Sequence, residues 1–315
     1  MKDYEEGLKQ KDIANKYHIS DSRVSQIVGS IGIWKEKGKV NIFDKPINLG
    51  LIFEISLLDG LFETSILELR KQGVFIRKHD YATDISLLAF FPKEFFGMYE
   101  VKEEIDVLCT EELHKFFDTK KTEPWEIYGD NISVSFNEEE VKVGAVGDKI
   151  AEFTHSFGVV PKSSYPVDLK LDEDGFWKES EFRISFHPEH FVGMGTQDNI
   201  CLQVRNENEN EKLTVYCKMA NKWLAKKEIP QFEIVGEHYP LKIFLNSTHF
   251  STIMKLSKRV WNSFNDKPKG PVWLCFNKKF NIVYISLVPD DKSIDSYPHP
   301  WFVHFILGAQ SGWIF

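Results

Sequence analysis

From about residue 40 onward, apolar and polar residues alternate in short runs, the pattern of strands that bury one face. Three stretches add a more particular order: a short strand, a polar cluster that can cap a helix, and apolar positions at helical spacing. They read IDVLCTEELHKFF from Ile105, FRISFHPEHF from Phe182 and LKIFLNSTHFSTIM from Leu241. The helical positions are Leu113, Phe116 and Phe117 in the first stretch and Phe250, Ile253 and Met254 in the third. Each stretch predicts a strand followed by a helix.

Further strands follow each of these stretches, with a hairpin signal inside each group. The signals lie at residues 129–131, 206–210 and 277–279. A fourth and less regular copy, DKPINLGLIFEISLLDGLF, offers Asp44 as a helix cap and Pro46 at the first helical position. Three strands are predicted after it, around the turn at residues 71–73.

The copies recur at roughly 60 to 80 residues, a period too long for a solenoid repeat but suited to duplicated subdomains. The pattern predicts an α+β fold in which four strand–helix–strands repeats form two domains, preceded by a small all-α element. The predicted boundaries are 1–39 for that element, 40–160 for the first domain, 161–178 for a connector, 179–292 for the second domain and 293–315 for an apolar tail.

The N-terminal stretch KQKDIANKYHISDSRVSQIVGS resembles the helix-turn-helix of sigma factors, resolvases and many regulators. Its apolar positions give each of two short helices a buried stripe: Ile13, Ala14 and Tyr17 in the first, Val24, Ile27 and Val28 in the second. Ile19 fills the small core between them, and Ser20 can cap the second helix. The outward positions Ser22, Arg23, Ser25 and Gln26 carry side chains that can read base edges in the major groove. A helical adaptor that binds protein, or an element that binds nothing, is the alternative.

Composition restricts the partners. The 315 residues carry 39 Lys and Arg against 47 Asp and Glu, a net charge of −8, which disfavours a protein that simply coats nucleic acid. It leaves room for local basic faces. The four cysteines are scattered, as in a reducing compartment. No charged-then-apolar leader opens the chain, and the apolar stretch WFVHFILGAQSGWIF is shorter than the ~20 residues that span a bilayer. We expect a soluble, cytoplasmic, nucleoid-associated protein without a membrane partner.

The helix predicted near the C-terminal end offers a basic face. Its apolar arc holds Phe250, Ile253, Met254, Val260, Trp261 and Phe264, and the opposite side holds Lys255, Lys258 and Arg259 together with Thr252 and Asn262. Such a face can follow phosphates or can serve solubility alone. Lys115, with Lys120 and Lys121, makes a weaker case, because Glu111, Glu112 and Asp118 offset these charges.

Catalytic chemistry has little support in the sequence. His187 and His190 form a pair without a third metal ligand, and the acidic runs at 172–174 and 289–291 fit solvated loops better than a nuclease centre. No phosphate loop, nucleophile elbow or Cys/His dyad is visible. The prediction is a binding protein with no enzymatic activity, no metal and no cofactor.

The body resembles DNA sliding clamps of the proliferating cell nuclear antigen type. The resemblance rests on GVFIRKHDYATDISLLAFFPKEFFGMYE, with Phe96 and Tyr99, on EIDVLCTEELHKFF, and on YPLKIFLNSTHFSTIMKLSKR. It implies a ring of subunits, three by resemblance, with helices facing duplex DNA. It also implies a groove under a connector at 157–176 that takes peptides from DNA polymerases or proteins associated with RNA polymerase. This chain departs from the family in its N-terminal element and in a first helix with hardly any cations.

The hypothesis is therefore a sliding-clamp-like processivity or recruitment factor. Its main alternative is a sequence-specific helix-turn-helix regulator whose β-rich body dimerises or binds a ligand, and a metal-dependent nuclease is a third class. The last residues, AQSGWIF, resemble the peptides that clamp-binding proteins insert into clamps, or pack on the body of their own chain.

Overall fold

The computed structural model describes residues 9–18, 38–80, 82–117, 132–137, 140–145, 152–156, 182–191, 199–207, 210–219, 222–230, 232–236, 242–263, 271–277, 282–287 and 302–308. The chain divides into two compact units. Unit 1 comprises Met1–Phe53, Thr64–Phe75 and Pro92–Pro161, and unit 2 comprises Glu54–Glu63, Ile76–Phe91 and Lys162–Phe315. Two short segments from the first half of the chain thus belong to the second unit.

Strands dominate the described residues, which form a β-rich α+β structure. The helices are α1 (Gln10–Tyr17), α2 (Pro46–Ser56), α3 (Glu111–Phe117) and α4 (Ser247–Ser263), with 3₁₀ turns at Leu58–Gly60, Lys93–Phe95 and Pro188–Phe191. The first nine strands are β1 (Val40–Asp44), β2 (Thr64–Arg70), β3 (Gly73–Asp80), β4 (Ile85–Pro92), β5 (Met98–Val101), β6 (Ile105–Thr110), β7 (Ile132–Phe136), β8 (Glu140–Ala145) and β9 (Glu152–Ser156). The others are β10 (Phe182–Phe186), β11 (Asn199–Glu207), β12 (Asn210–Met219), β13 (Lys222–Ile229), β14 (Phe232–Gly236), β15 (Lys242–Asn246), β16 (Val272–Asn277), β17 (Ile282–Leu287) and β18 (Phe302–Gly308).

Unit 1 contains a five-stranded sheet in the order β5-β1-β7-β8-β9, in which all neighbours are antiparallel. Its alternate positions are apolar, and Val40, Ile42, Val134 and Phe136 are almost completely buried. Strands β2 and β6 of this unit also pair antiparallel, with Thr64 opposite Thr110.

In unit 2, six neighbouring strands follow the order β14-β10-β16-β17-β18-β4, and a separate four-stranded sheet has the order β13-β12-β11-β15. The predicted strand-then-helix order is present where β15 leads into α4 and where β10 leads into the turn Pro188–Phe191. That turn is much shorter than the helix predicted after this strand.

The hairpins agree with the sequence signals wherever they fall on described residues. β11 and β12 pair up to Glu207 and Asn210, and β16 and β17 pair from Asn277 and Ile282. The third signal of this kind, at residues 129–131, lies outside the described residues. Both hairpins predicted for unit 2 are therefore present.

Helix α2 begins as predicted, with Pro46 as its first residue. Asp44 holds this start: its carboxylate accepts hydrogen bonds from the Lys45 backbone N–H at 2.7 Å and from the Asn48 side chain at 3.1 Å. Burial raises the pKa of Asp44 against the opposing effect of these bonds. From Leu49 to Leu58 every residue is buried, which explains why this helix has hardly any Lys or Arg.

The predicted helix-turn-helix is described only in part. Helix α1 is present, Ala14 is buried and His18 ends the helix in a left-handed conformation with φ 54°. Residues 19–37, which include the predicted second helix and its outward side chains, lie outside the described residues. Over the described part of the chain, no helix is long and apolar enough to cross a membrane.

Candidate nucleic-acid interface

Helix α4 is the element on which the predicted basic face lies. Asn246 caps it, because its side-chain oxygen accepts a hydrogen bond from the His249 backbone N–H at 3.1 Å. The predicted apolar arc is confirmed at every position that the structure describes, since Phe250, Ile253, Met254, Val260 and Trp261 are all buried. The arc is wider than predicted. It includes Leu256, Ser257 and Thr252, so the expectation that Thr252 shares the basic side is wrong.

The two lysines of this face differ in their surroundings. Lys255 is exposed, and no acidic side chain among the described residues lies within ion-pairing distance of its ammonium. The Lys258 ammonium lies 3.7 Å from a carboxylate oxygen of Glu189. Both members of this pair are partly exposed, at 37% and 43% of their side chains. Lys255 and Lys258 are three residues apart, so they share one side of the helix.

Arg259 has a different position from the one expected. Its guanidinium forms an ion pair with Glu54, whose side chain is only 6% exposed, and Arg259 itself is 29% exposed. The helical pattern predicts that Arg259 faces solvent beside the two lysines. In the structure it forms an ion pair with a buried carboxylate of α2 instead. A buried carboxylate requires a partner, and Arg259 supplies it. Contact between Arg259 and DNA stays a prediction, and it would compete with this pair.

Glu54 was missed in the sequence analysis, although a signal exists. It is the single charged residue in the apolar run LGLIFEISLL. A lone acid in such a run predicts a buried charge with a basic partner elsewhere in the chain. Nothing in the run identifies the partner as Arg259, because the two residues come from distant parts of the sequence.

The turn Pro188–Phe191 adjoins α4. Phe191 contacts Phe250 edge-on, with ring centroids 5.1 Å apart, and also Phe186, at 4.6 Å. On the other side of the turn the rings of His187 and His190 lie 6.4 Å apart. Burial lowers the pKa of His190, and the neighbouring His187 and Lys227 lower it further. The Lys227 ammonium donates a hydrogen bond to the carbonyl oxygen of His190.

The other residues predicted to contact DNA are either paired with an acid or outside the described residues. Lys115 lies 2.8 Å from Glu111 one helical turn away, and both are exposed, so its charge is already matched by a neighbour. Ser22, Arg23, Ser25 and Gln26 lie outside the described residues, as do Lys120 and Lys121. No three His, Cys, Asp or Glu side chains in the described ranges are grouped so that they could hold a metal ion.

The end strands of the sheets are a second candidate surface. In unit 1 the five-stranded sheet ends in β5 and β9, and in unit 2 the four-stranded sheet ends in β13 and β15. Within the described residues, β9 pairs only with β8 and β13 only with β12. Each therefore has one side whose backbone groups can pair with another chain.

Three solved structures match this chain over most of its length. The proliferating cell nuclear antigen (PCNA) of Thermococcus kodakaraensis is 14% identical with a TM-score of 0.60, and the match covers 86% of this chain and 100% of that one. The corresponding protein of Entamoeba histolytica is 10% identical with a TM-score of 0.63, over 87% and 100%. A PCNA2–PCNA3 complex from Sulfolobus tokodaii is 16% identical with a TM-score of 0.60, over 86% and 100%.

The fold is thus of the sliding-clamp type. At these identities the similarity defines the fold alone. No family model matches the sequence, and no curated protein matches it.

Proposed function

We propose that this protein is a sliding-clamp-like processivity or recruitment factor. Copies of the chain, or of this chain with related chains, assemble into a ring around duplex DNA and tether partner proteins that act on it. The ring binds and holds, and it catalyses no reaction. The observation that carries this proposal is the sliding-clamp type of fold, seen in three PCNA structures that are each covered over their full length.

The order of elements supports the proposal. Four stretches each begin with a strand followed by a helix or a 3₁₀ turn: β1–α2, β6–α3, β10 with Pro188–Phe191, and β15–α4. Each is followed by three or four antiparallel strands. This order fits four repeats that form two clamp-like domains, with the helix-turn-helix as a separate element in front of them. The end strands β9 and β13 offer edges at which each subunit of a ring can pair with the next.

Contact with DNA is proposed for the exposed cations of α4. A protein of net charge −8 repels phosphate at long range, so its contacts with the backbone must be local. Lys255 is available without any rearrangement, and Lys258 is available once it separates from Glu189. These contacts are independent of base sequence, as sliding requires.

Replacing both lysines, as K255E/K258E, is expected to weaken association with duplex DNA of any sequence. Two lost phosphate contacts reduce the slope of log K against log salt by about 1.8, at about 0.9 per phosphate. Salt titrations of fluorescence anisotropy measure this slope. The matched control is K71E/K102E, which reverses two exposed lysines of unit 1. Equal salt slopes for the two double variants would show that Lys255 and Lys258 of α4 do not contact DNA.

The N-terminal element is expected to add a sequence-dependent contact. In R23A/Q26A each lost bidentate base contact costs about 1–3 kcal/mol, so preference for one DNA sequence disappears while sequence-independent association remains. Footprinting on a selected sequence tests this. An unchanged footprint in the double variant would show that these side chains do not read bases. Loss of all DNA association would favour a regulator that depends on residues 1–39 alone.

A further inference from the structure

The turn Pro188–Phe191 brings one carboxylate together with several basic groups. The Glu189 carboxylate lies 3.7 Å from the Lys258 ammonium. The Lys227 ammonium bonds to the carbonyl oxygen of His190, and the ring of His187 lies beside that of His190. Four groups that carry or can carry a positive charge therefore lie around this turn, and Glu189 is the acid within it.

The turn is held firmly against α4. Phe191 is almost completely buried between Phe186 and Phe250, so the turn cannot shift without opening this aromatic contact. The polar side of the turn, by contrast, is accessible: Glu189 and Lys227 are exposed, and His187 and His190 are half-buried. The polar side of the turn meets α4 at Lys258, through Glu189.

The ion pairs of Lys258 and Arg259 differ in the ease with which an anion can replace the acid. Glu54 is buried, and removing Arg259 from it would leave a buried carboxylate without this cation. Glu189 and Lys258 are each more than a third exposed, and such pairs contribute little, because water and salt compete with them. A phosphate can therefore displace Glu189 from Lys258, whereas it cannot readily displace Glu54 from Arg259.

We propose that Glu189 is an internal competitor of DNA phosphate for the cations of this turn. In the absence of DNA its carboxylate occupies the position that a phosphodiester of the backbone takes at Lys258. It thereby weakens association with DNA, and a weak sequence-independent contact allows a ring to slide. This inference rests on the function proposed above and assigns a residue that sets its affinity.

The test is the variant E189Q, which removes the competing charge and keeps the size of the side chain. Its affinity for duplex DNA at low salt is expected to rise about threefold, because an exposed ion pair such as Glu189–Lys258 is weak and its removal changes the affinity little. The salt slope is expected to change by less than the value of one phosphate contact, about 0.9, because Lys258 receives the phosphate in both proteins. The matched control is E233Q, which changes the net charge equally at an exposed strand position of the same unit. No ion pair of Glu233 is seen in the described part of the chain.

A second variant, E189Q/K258Q, separates this contact from the general change in charge. If Lys258 receives the phosphate, the double variant loses the gain of E189Q. Two outcomes overturn this inference but leave the proposed function standing. In the first, the double variant keeps the higher DNA affinity of E189Q. In the second, wild type binds DNA and the affinities of E189Q and E233Q are equal. Binding by E189Q where wild type shows none supports it. Absence of DNA association in wild type and E189Q alike overturns both the inference and the proposed function.

Discussion

Replacing Arg259 by Ala is expected to lower the free energy of unfolding by about 3 kcal/mol, the low end of the range for a broken buried ion pair. Glu54 is 6% exposed, and without Arg259 its carboxylate must stay buried without its cation or take up a proton. Arg259 is partly exposed, so water can relieve part of the cost. Urea unfolding followed by circular dichroism measures the change.

The control for this prediction is K255A on the same helix, which removes a cation that has no acidic partner among the described residues. It is expected to change stability by less than about 0.5 kcal/mol. The double variant E54M/R259M replaces the pair by two apolar side chains of similar length. It is expected to recover most of the loss, because no charge remains buried. Equal stability of R259A and K255A would contradict the structural role of this pair.

Proline in the edge strand β9 is expected to convert the proposed ring into single chains of 36.7 kDa. Neighbouring residues of an antiparallel strand direct their N–H groups to opposite sides. Of Thr154 and His155, one therefore directs its N–H toward β8 and the other toward the open edge. Proline at the second position removes a donor for the next subunit and leaves the sheet of its own chain intact.

Both variants, T154P and H155P, are compared by circular dichroism and by light scattering after gel filtration. One is expected to lose structure, and the other to keep its structure and lose its assembly. Proline at Lys222, at the start of β13, tests the edge of the four-stranded sheet of unit 2 by the same measurements. If a folded proline variant keeps the mass of the wild-type assembly, β9 is not the assembling edge.

The sequence predicted the strands and hairpins well, for a physical reason. Alternation of apolar and polar residues determines which face of a strand is buried, and turn residues determine the register, and both are local. Helix α4 was predicted for the same reason, from an apolar stripe at helical spacing after a polar cluster that can cap a helix. The structure shows that Asn246 is the cap. Residues 277–279 and 206–210 were read correctly as hairpins without any knowledge of the rest of the chain.

The charge pairs of the candidate interface could not be predicted in the same way. Helical geometry places Arg259 opposite the apolar arc, but it says nothing of Glu54 on another helix. Glu189 and Lys258 likewise meet only because Phe191 packs against Phe250. Such contacts join residues far apart in the sequence, and their partners follow from tertiary packing alone. One of the three expected cations of the basic face is thereby joined to a buried acid.

The most direct test of the central claim is retention on a closed DNA circle. The protein is incubated with nicked circular duplex DNA, passed over a sizing column at high salt, and measured again after a single cut has made the DNA linear. High salt dissociates ordinary phosphate contacts, so only a ring that encloses the duplex stays bound. The proposed ring is expected to stay on the circular DNA and to leave the DNA after the cut. Equal retention on the circle and on linear DNA, or none on either, would contradict it.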